Sequence, residues 1–351
     1  MTNFASDNVT AMAPEILAAI ADANEGPAMP YGEDPVTARV RARFNDLFET
    51  ETLVFPVATG TAANVLGLSL LTPPYGAVYC HRDAHIVVDE CGAPEFYTGG
   101  AKLVTLEGAD GKLTAGVVSD AITGAGVVHH VQPAAISLTQ ATEVGTLYRP
   151  DDVAAIAKVA RAHQIGLHMD GARFANAIAA LGCSPAEMTW KAGVDVLAFG
   201  ATKNGAMAAE AVVIFKPELA AEFGFRRKRG GHLFSKGRFL SAQLEGYLED
   251  GLWLRHALHA NSLATQLAQG LAGLPGVTLH HPVEANMLFL SLPESVIAGL
   301  KAGGFMFYDW TTPATAAGMR EIRLVTAFNG TGEDVRAFVA LAADLARKAA
   351  E

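Results

Sequence analysis

The regular alternation of short apolar runs with alanine-rich stretches, through most of residues 1–220, constrains the fold most. The apolar runs are TLVFPVA, GAVYC, AAISLTQ, GLHMD, VDVLAFG and EAVVIF, and helical patterns such as GTAANVLGLSLL and RPDDVAAIAKVARAHQ lie between them. Strands and helices in this order are typical of a mostly parallel sheet with helices on both faces. Continuous apolar strands fit such a sheet because both of its faces are buried. The sequence therefore predicts an α/β fold.

The pattern changes near residue 245. GLWLRHALHANSLATQLAQGLAGL predicts one long helix, which PGV ends. VTLHHP, NMLFLSL, FMFYDW and EIRLVTAF then predict four short strands, with a helix between the second and third and another at the end. A chain of 351 residues favours two domains. We predict a large domain over 1–245, including an N-terminal segment 1–15, and a small α+β domain over 246–351.

Composition and charge exclude several classes of partner. The chain carries 36 acidic and 26 basic residues and a net charge of −10, which disfavours nucleic acid and anionic membranes. MTNFASDNVT lacks the features of a signal peptide, and no apolar run is long enough to span a bilayer. The 3 cysteines form no CxxC pattern. We expect reduced thiols in a cytoplasmic protein.

Polar residues stand at the carboxyl ends of several predicted strands. Gly60 and Thr61 follow TLVFPVA and open a helix, whose N–H groups and hydroxyl suit an anion such as a phosphate. Asp170 ends GLHMD, with Arg173 three residues later, and Lys203 follows VDVLAFG in a glycine-flanked turn. Each has a simpler explanation when taken alone: a capped helix, a capping aspartate and a surface lysine.

Together these residues match the needs of pyridoxal 5′-phosphate. Its phosphate suits a helix N-terminus, its protonated pyridine nitrogen a carboxylate, and its aldehyde a lysine amine with which it forms a Schiff base. Open parallel sheets bind ligands at the carboxyl ends of their strands. The chain order Gly-Thr, Asp, Lys resembles that of the fold-type I enzymes that use this cofactor. We therefore expect pyridoxal 5′-phosphate at this edge of the sheet.

Longer motifs resemble one family within that group, the low-specificity L-threonine aldolases, and particularly the bacterial branch that also cleaves phenylserine. The motifs are FASDN, YGEDPVT, GTAAN, AHIVVDECGAPE, TQATEVGTLYRP, LHMDGARFANA and TKNGA, and they span essentially the whole chain. The resemblance implies a fold-type I enzyme and a carbon–carbon lyase. Its reaction would be retro-aldol cleavage of L-threonine, L-allo-threonine or related β-hydroxy-α-amino acids to glycine and an aldehyde.

The resemblance also implies roles for residues around the cofactor. Lys203 corresponds to the lysine that binds the aldehyde, and Asp170 to the partner of the pyridine nitrogen. Arg173 corresponds to a residue beside the ring oxygen, while Gly60 and Thr61 correspond to the phosphate-binding turn.

Further roles concern the substrate and a neighbouring subunit. His85 corresponds to a histidine that stacks on the cofactor ring, and it is the first candidate for the base that removes the β-hydroxyl proton. His129 is the second candidate, although the register of its HH pair leaves the neighbouring histidine open. Ser6 and Arg323 correspond to the groups that hold the substrate carboxylate. Lys228 corresponds to a basic residue that reaches the phosphate of a neighbouring subunit, which implies a homotetramer with sites near subunit interfaces.

Two segments depart from the commoner family pattern. TKNGA stands where many members carry Ser-Lys-Gly-Leu-Gly, and TQATE stands where Glu-Asn-Thr-His is common. Both loops adjoin the expected cofactor and substrate. The preference between threonine and aryl substrates therefore stays open.

Other activities are compatible with parts of the pattern. A β-eliminating lyase, an aminotransferase or a serine hydroxymethyltransferase-like enzyme would use the same cofactor and lysine. A metal-dependent hydrolase could be built on His168 and Asp170, which share a strand face. No second acidic cluster supports a metal, and the adjacent histidines of each HH pair would point to opposite faces of a strand. We expect no metal.

Overall fold

A computed structural model describes residues 2–310 and 317–350, and its centre is a 7-stranded sheet. The strands lie in the order β2-β8-β7-β6-β5-β3-β4. Strand β8 runs opposite to the other strands of this sheet, which all share one direction, so the predicted mostly parallel α/β sheet is confirmed. The bounds of its strands are β2 Leu53–Val57, β3 Gly76–His81, β4 Lys102–Leu106, β5 Gln132–Thr139, β6 Gly166–Gly171, β7 Val196–Gly200 and β8 Glu210–Ile214.

Helices cover both faces of this sheet because successive strand side chains point to opposite sides. In β7, Leu197 and Phe199 pack into the larger core, while Val196 and Ala198 pack against the first helix after β2. The helices that precede or cover the sheet are α1 Pro14–Asp22, α2 Pro35–Phe48, α3 Gly60–Leu71, α4 His85–Val88, α5 Ala93–Thr98, α6 Ala115–Ala121, α7 Pro150–Ala162, α8 Phe174–Leu181, α9 Pro185–Met188, α10 Phe223–Arg229 and α11 Arg238–Leu248.

The C-terminal part forms a separate 4-stranded antiparallel sheet in the order β12-β13-β10-β9. The predicted long helix is present as α12, and the helix between strands and the closing helix are present as α13 and α14. Their apolar faces pack with the sheet into a second core. The bounds are α12 Leu252–Leu271, β9 Thr278–Leu279, β10 Met287–Pro293, α13 Glu294–Ala302, β11 Phe305–Met306, β12 Tyr308–Trp310, β13 Met319–Val325 and α14 Gly332–Ala350.

The N-terminal segment joins the two parts of the molecule. Strand β1, Thr2–Asn3, pairs with β11, and Phe4 packs in the C-terminal core. Ile16 on α1 belongs instead to the core of the central sheet. The start of the segment 1–15 therefore contacts the C-terminal part, whereas the prediction assigned the whole segment to the large domain. The boundary at 245/246 stays a prediction.

Two features of the strands differ from the expected pattern. The predicted strands do not include β4, an edge strand, because polar residues interrupt KLVTL and leave no continuous apolar run. FMFYDW forms two short strands instead of one, β11 and β12, which belong to different sheets. None of the described helices is both long and apolar enough to cross a membrane.

Candidate active site

Two connected hollows lie at the carboxyl ends of β5, β6 and β7. The inner recess, about 30 Å³ in volume, is lined by Gly60, Asn64, His85, Glu90, Thr139, Ala141, Glu143, Asp170, Ala172, Arg173 and Lys203. The outer cavity, about 480 Å³, is lined by Ser6, Asn8, Arg82, Asp83, His85, Val88, Asp89, Glu143, Val144, Arg173, Lys203, His281, Phe289, Trp310, Glu321 and Arg323. Both are lined by His85, Glu143, Arg173 and Lys203. Parallel strands bring these distant parts of the chain to one edge.

Two glycines allow the loops after β6 and β7 to approach closely. A Cβ on Gly171 would lie 2.7 Å from the carbonyl oxygen of Ala198, and one on Gly200 would lie 2.5 Å from that of Ala172. Both distances are too short for any other residue. The glycines that follow Asp170 and precede Lys203 in sequence therefore let the two strand ends pack side by side.

Asp170 lies at the floor of the inner recess and is 3% exposed. Its Oδ1 accepts a hydrogen bond from the Ala172 amide at 2.9 Å, and its Oδ2 accepts one from Asn64 Nδ2 at 2.8 Å. The same Asn64 nitrogen donates to Glu90 Oε1 at 2.8 Å. Asn64 comes from α3, so the helix that begins at Gly60 also fixes the carboxylate of Asp170. The Oδ1 atom of Asn64 is buried and has no hydrogen-bond partner among the described residues.

His85 begins α4 and is held by a second buried carboxylate. Its Nδ1 lies 2.9 Å from Glu90 Oε1, and the Glu90 side chain is 0% exposed. The hydrogen bond to Glu90 raises the pKa of His85, although burial alone would lower it. Asp170, Asn64, Glu90 and His85 thus form one continuous polar network beside the recess.

Lys203 lies in a short 3₁₀ turn directly after β7. The next residue anchors this turn: Asn204 Nδ2 donates to the Tyr247 hydroxyl and to the Trp253 carbonyl, each at 2.8 Å. Behind the turn, buried Glu210 accepts a hydrogen bond from the Ala201 amide at 3.0 Å. The amine-bearing residue is therefore attached to a rigid backbone.

The N-terminus of α3 lies at the recess, which Gly60 lines. Thr59 caps the helix by accepting from the Ala62 amide at 3.1 Å, and Gly60 and Thr61 are its first two residues. The first N–H groups of a helix have no partner within the helix. A Cβ on Gly60 would meet no atom within 4 Å, so the space beside this residue is open.

Arg173 lies at the junction of the two hollows and is paired with the N-terminal segment. Its Nε and Nη2 donate to the two carboxylate oxygens of Asp7 at 2.7 and 2.9 Å, and Asn286 donates to the same carboxylate at 3.1 Å. Asp7 and Arg173 are 1% and 8% exposed. Although burial opposes ionisation, the charges of Arg173 and Lys203 hold the pKa of Asp7 below its usual value.

Ser6 and Arg323 both line the outer cavity, and their shared role at the substrate carboxylate stays a prediction. Arg323 lies on β13 and donates from Nη2 to the Ala5 carbonyl at 3.2 Å. Its guanidinium carbon lies 5.4 Å from the Tyr308 ring centre and 5.0 Å from that of Trp310. Arg323 Nε is buried and has no hydrogen-bond partner among the described residues. Burial, together with the charge of Arg173, lowers the pKa of Arg323.

Glu143 is a site residue that the sequence reasoning missed. It lines both hollows, and its Oε1 accepts a hydrogen bond from the His85 amide at 3.1 Å. Burial and the nearby charge of Asp170 raise the pKa of Glu143, and Lys203 opposes that rise. One feature of the sequence could have pointed to Glu143: it is the last residue of TQATE, a segment that departs from the common family pattern.

The structure does not bring His129 into the site. This residue is exposed in the turn before β5, while the site lies after β5, beyond Thr139. A strand of 8 residues places those two ends roughly 25 Å apart. The prediction that His129 acts near the substrate hydroxyl is therefore corrected: within this chain the side chain cannot reach it.

Lys228 also lies outside both hollows. It is exposed on α10, with its Nζ 4.9 Å from the centre of the Tyr31 ring. This placement leaves a role at the site of a neighbouring subunit as a prediction.

His168 has a structural environment instead of a metal site. It is fully buried, its Nδ1 lies 3.0 Å from Ser137 Oγ, and burial lowers its pKa to about 4. Across residues 2–310 and 317–350, no group of three His, Cys, Asp or Glu side chains is arranged to hold a metal ion.

The site has the groups that pyridoxal 5′-phosphate requires. An open helix N-terminus at Gly60 suits its phosphate, the buried carboxylate of Asp170 suits its ring nitrogen, and Lys203 supplies an amine between them. Buried polar atoms normally have a hydrogen-bond partner, so the unpartnered Asn64 oxygen agrees with the binding of a polar ligand in this recess.

Comparisons with known proteins agree with this assignment. The family model described as Beta-eliminating lyase matches residues 3–293. Low specificity L-threonine aldolases from a Pseudomonas species and from Pseudomonas aeruginosa are 49% and 50% identical over 307 residues, which cover 88% of this chain and 89% of each relative. The solved threonine aldolase of Leishmania major has a TM-score of 0.93 at 30% identity and covers 99% of this chain and 100% of its own. The chain therefore belongs to the beta-eliminating lyase family and, within it, to the low-specificity L-threonine aldolases.

Proposed function

We propose that the inner recess and the outer cavity together form the active site of a retro-aldolase that cleaves L-threonine, L-allo-threonine or related β-hydroxy-α-amino acids to glycine and an aldehyde. Family membership confirms the predicted carbon–carbon lyase and its pyridoxal 5′-phosphate cofactor. The observation that carries the proposal is the sharing of lining residues between the two hollows. A cofactor at the strand ends would directly adjoin a cavity with a carboxylate-binding arginine.

The cofactor would lie across the inner recess and the adjoining part of the outer cavity, because a recess of about 30 Å³ is too small to hold it alone. Lys203 would hold its aldehyde carbon, Asp170 its ring nitrogen, and the N-terminus of α3 at Gly60 and Thr61 its phosphate. When bound, the cofactor supplies the electron sink that allows the Cα–Cβ bond of the substrate to break. The negative charge of Asp170 favours a protonated ring nitrogen, and the hydrogen bonds to Asn64 and Ala172 keep that carboxylate in place.

The outer cavity would hold the amino acid. Arg323 has an unpartnered N–H, and the hydroxyl-bearing Ser6 lines the same cavity, so both can bind the substrate carboxylate. Holding the carboxylate fixes the orientation of the Cα–Cβ bond, and orientation supplies a large part of enzymatic rate. The cavity of about 480 Å³ leaves room for either a methyl or an aryl group on Cβ.

The test is borohydride reduction of the purified holoenzyme, followed by peptide mapping by mass. We expect a pyridoxyl group on the peptide that contains Lys203, and loss of turnover in Lys203→Ala with an unchanged circular dichroism spectrum. An unmodified Lys203 in cofactor-loaded protein, or full activity of Lys203→Ala, would remove it as the anchor. Product analysis tests the reaction: glycine plus an aldehyde indicates aldol cleavage, whereas a keto acid and ammonia indicate β-elimination. A requirement for a folate acceptor would indicate a serine hydroxymethyltransferase-like reaction.

The proposal extends to assembly and location. We propose a homotetramer in the cytoplasm. The exposure of Lys228 outside both hollows of its own chain supports sites shared between neighbouring subunits, since the role implied for it requires the phosphate site of a neighbour. Size-exclusion chromatography with light scattering should give the mass of four chains. Lys228→Ala should weaken cofactor binding in that assembly, and unchanged cofactor affinity would remove Lys228 from the site.

A further inference from the structure

The cleavage needs a group that accepts the proton of the β-hydroxyl, and the polar side chains around the inner recess differ in their availability for it. Asp170 is engaged by Asn64 and the Ala172 amide. Glu90 is fully buried and engaged by Asn64 and His85. Glu90 Oε2 has no hydrogen-bond partner among the described residues, but it is buried, and neither Asp170 nor Glu90 lines the outer cavity.

Glu143 differs from these two carboxylates. Its Oε1 accepts from the His85 amide, but among the described residues nothing donates a hydrogen bond to its Oε2. It lines the outer cavity as well as the recess. The segment 311–316 contains no acidic residue and no histidine, so it adds no competing base.

His85 is less suited to accept a proton. Its Nδ1 is committed to Glu90, and that hydrogen bond raises its pKa, which favours the imidazolium form. An imidazolium has no free lone pair and acts as a donor. Glu143 has the opposite balance, because burial raises the pKa of its carboxyl group and thereby makes its ionised form a stronger base.

We infer that Glu143, and not His85, is the catalytic base that accepts the β-hydroxyl proton. The inference rests on the retro-aldol function proposed above. The O–H bond breaks and its proton passes to Glu143 Oε2, and the oxygen lone pair becomes the second bond of the aldehyde carbonyl. The electron pair of the Cα–Cβ bond remains with Cα, where a proton is added to give glycine. The proton lost from oxygen is thus balanced by the one gained at Cα.

The charged groups that face Glu143 come from every side of the site. Asp170 raises its pKa, whereas Lys203, His85 and Arg173 lower it. Other ionisable groups line the same outer cavity, namely Arg82, Asp83, Asp89, His281, Glu321 and Arg323. The pH at which Glu143 loses its proton therefore depends on all of these charges, and it should be measured on the cofactor-loaded enzyme.

The experiment compares Glu143→Gln, Glu143→Asp and His85→Gln as holoenzymes, with Glu49→Gln as a control at an exposed ion pair with Lys191. Glu143→Gln should lower kcat for cleavage of a β-hydroxy amino acid by about 10²–10⁴-fold, the usual contribution of a general base. It should also remove the acid limb of kcat/KM against pH, and Glu143→Asp should recover part of the rate. Glu49→Gln should behave as the wild type.

A partial reaction separates this role from cofactor binding. Exchange of the glycine α-proton in D₂O involves no hydroxyl, so Glu143→Gln should retain it. Loss of exchange equal to the loss of cleavage would place Glu143 in cofactor binding and overturn the inference. An acid limb that persists in Glu143→Gln but disappears in His85→Gln would identify His85 as the base. Wild-type enzyme that forms no glycine from any β-hydroxy amino acid would instead refute the proposed function itself.

Discussion

The pairing of Asp7 with Arg173 connects the N-terminal segment to the active site across 166 positions of sequence. Both side chains are buried, and two hydrogen bonds of 2.7 and 2.9 Å join them. Asp7→Asn keeps the size of the side chain but removes its charge. It leaves the buried Arg173 guanidinium without its hydrogen-bonded counter-ion, close to Lys203, whose charge also interacts with Asp7.

Removing one partner of a buried ion pair costs about 3–5 kcal/mol of unfolding free energy, because the remaining charge stays desolvated. We expect a loss of that size in Asp7→Asn. The double variant Asp7→Asn, Arg173→Met removes both charges and should lose less than the single variant. The expected order of stability is therefore wild type, double variant, single variant.

The assay is urea unfolding of cofactor-free protein at one fixed concentration, followed by circular dichroism. Cofactor-free protein is required because a change in cofactor affinity would otherwise add to the measured stability. The matched control is Glu245→Gln. Glu245 also binds an arginine in a bidentate manner, with Arg39 bonds of 2.6 and 3.0 Å, but that arginine side chain is 56% exposed.

Exposed pairs contribute about 0–1 kcal/mol, so Glu245→Gln should change stability little. The two pairs share their geometry and differ in burial. Equal losses in Asp7→Asn and Glu245→Gln would refute the argument that burial sets the cost. A double variant less stable than Asp7→Asn would also refute it.

Three further predictions follow from buried charges. Glu90→Gln should lower the pKa of His85, measured by NMR titration of labelled histidine, and an unchanged midpoint would show that Glu90 does not hold the imidazolium. Burial raises the pKa of Glu210 from 4.5 to about 7, so the stability that its protonation contributes is fully present below pH 4.5 and is lost as the pH rises through 7. The unfolding free energy of Glu210→Gln relative to wild type should therefore increase by about 3 kcal/mol from pH 4 to pH 8. A difference that stays constant with pH would contradict this. Arg323→Ala should raise KM for the amino acid about 10–100-fold through loss of a charged hydrogen bond, and an unchanged KM would remove Arg323 from the carboxylate site.

The sequence was sufficient for the central sheet and for part of the site. Continuous apolar runs identify buried strands, and a parallel sheet gathers their carboxyl ends at one edge. Asp170 stands at the end of one such strand, and Lys203 follows the next strand along the chain. Their proximity could therefore be predicted from the sequence. The sequence does not predict the edge strand β4, because its partly exposed side chains do not form an apolar run.

Only the tertiary structure decided which other polar residues join the site. Glu143 lies in a loop, where no periodicity indicates the direction of a side chain, and Asp7 and Asn64 reach the site from elements far away in sequence. His129 was assigned by motif register, although it precedes β5 while the site follows that strand. Local patterns determine which strands and helices form. The partners of a buried charge depend on long-range packing, which local sequence patterns do not reveal.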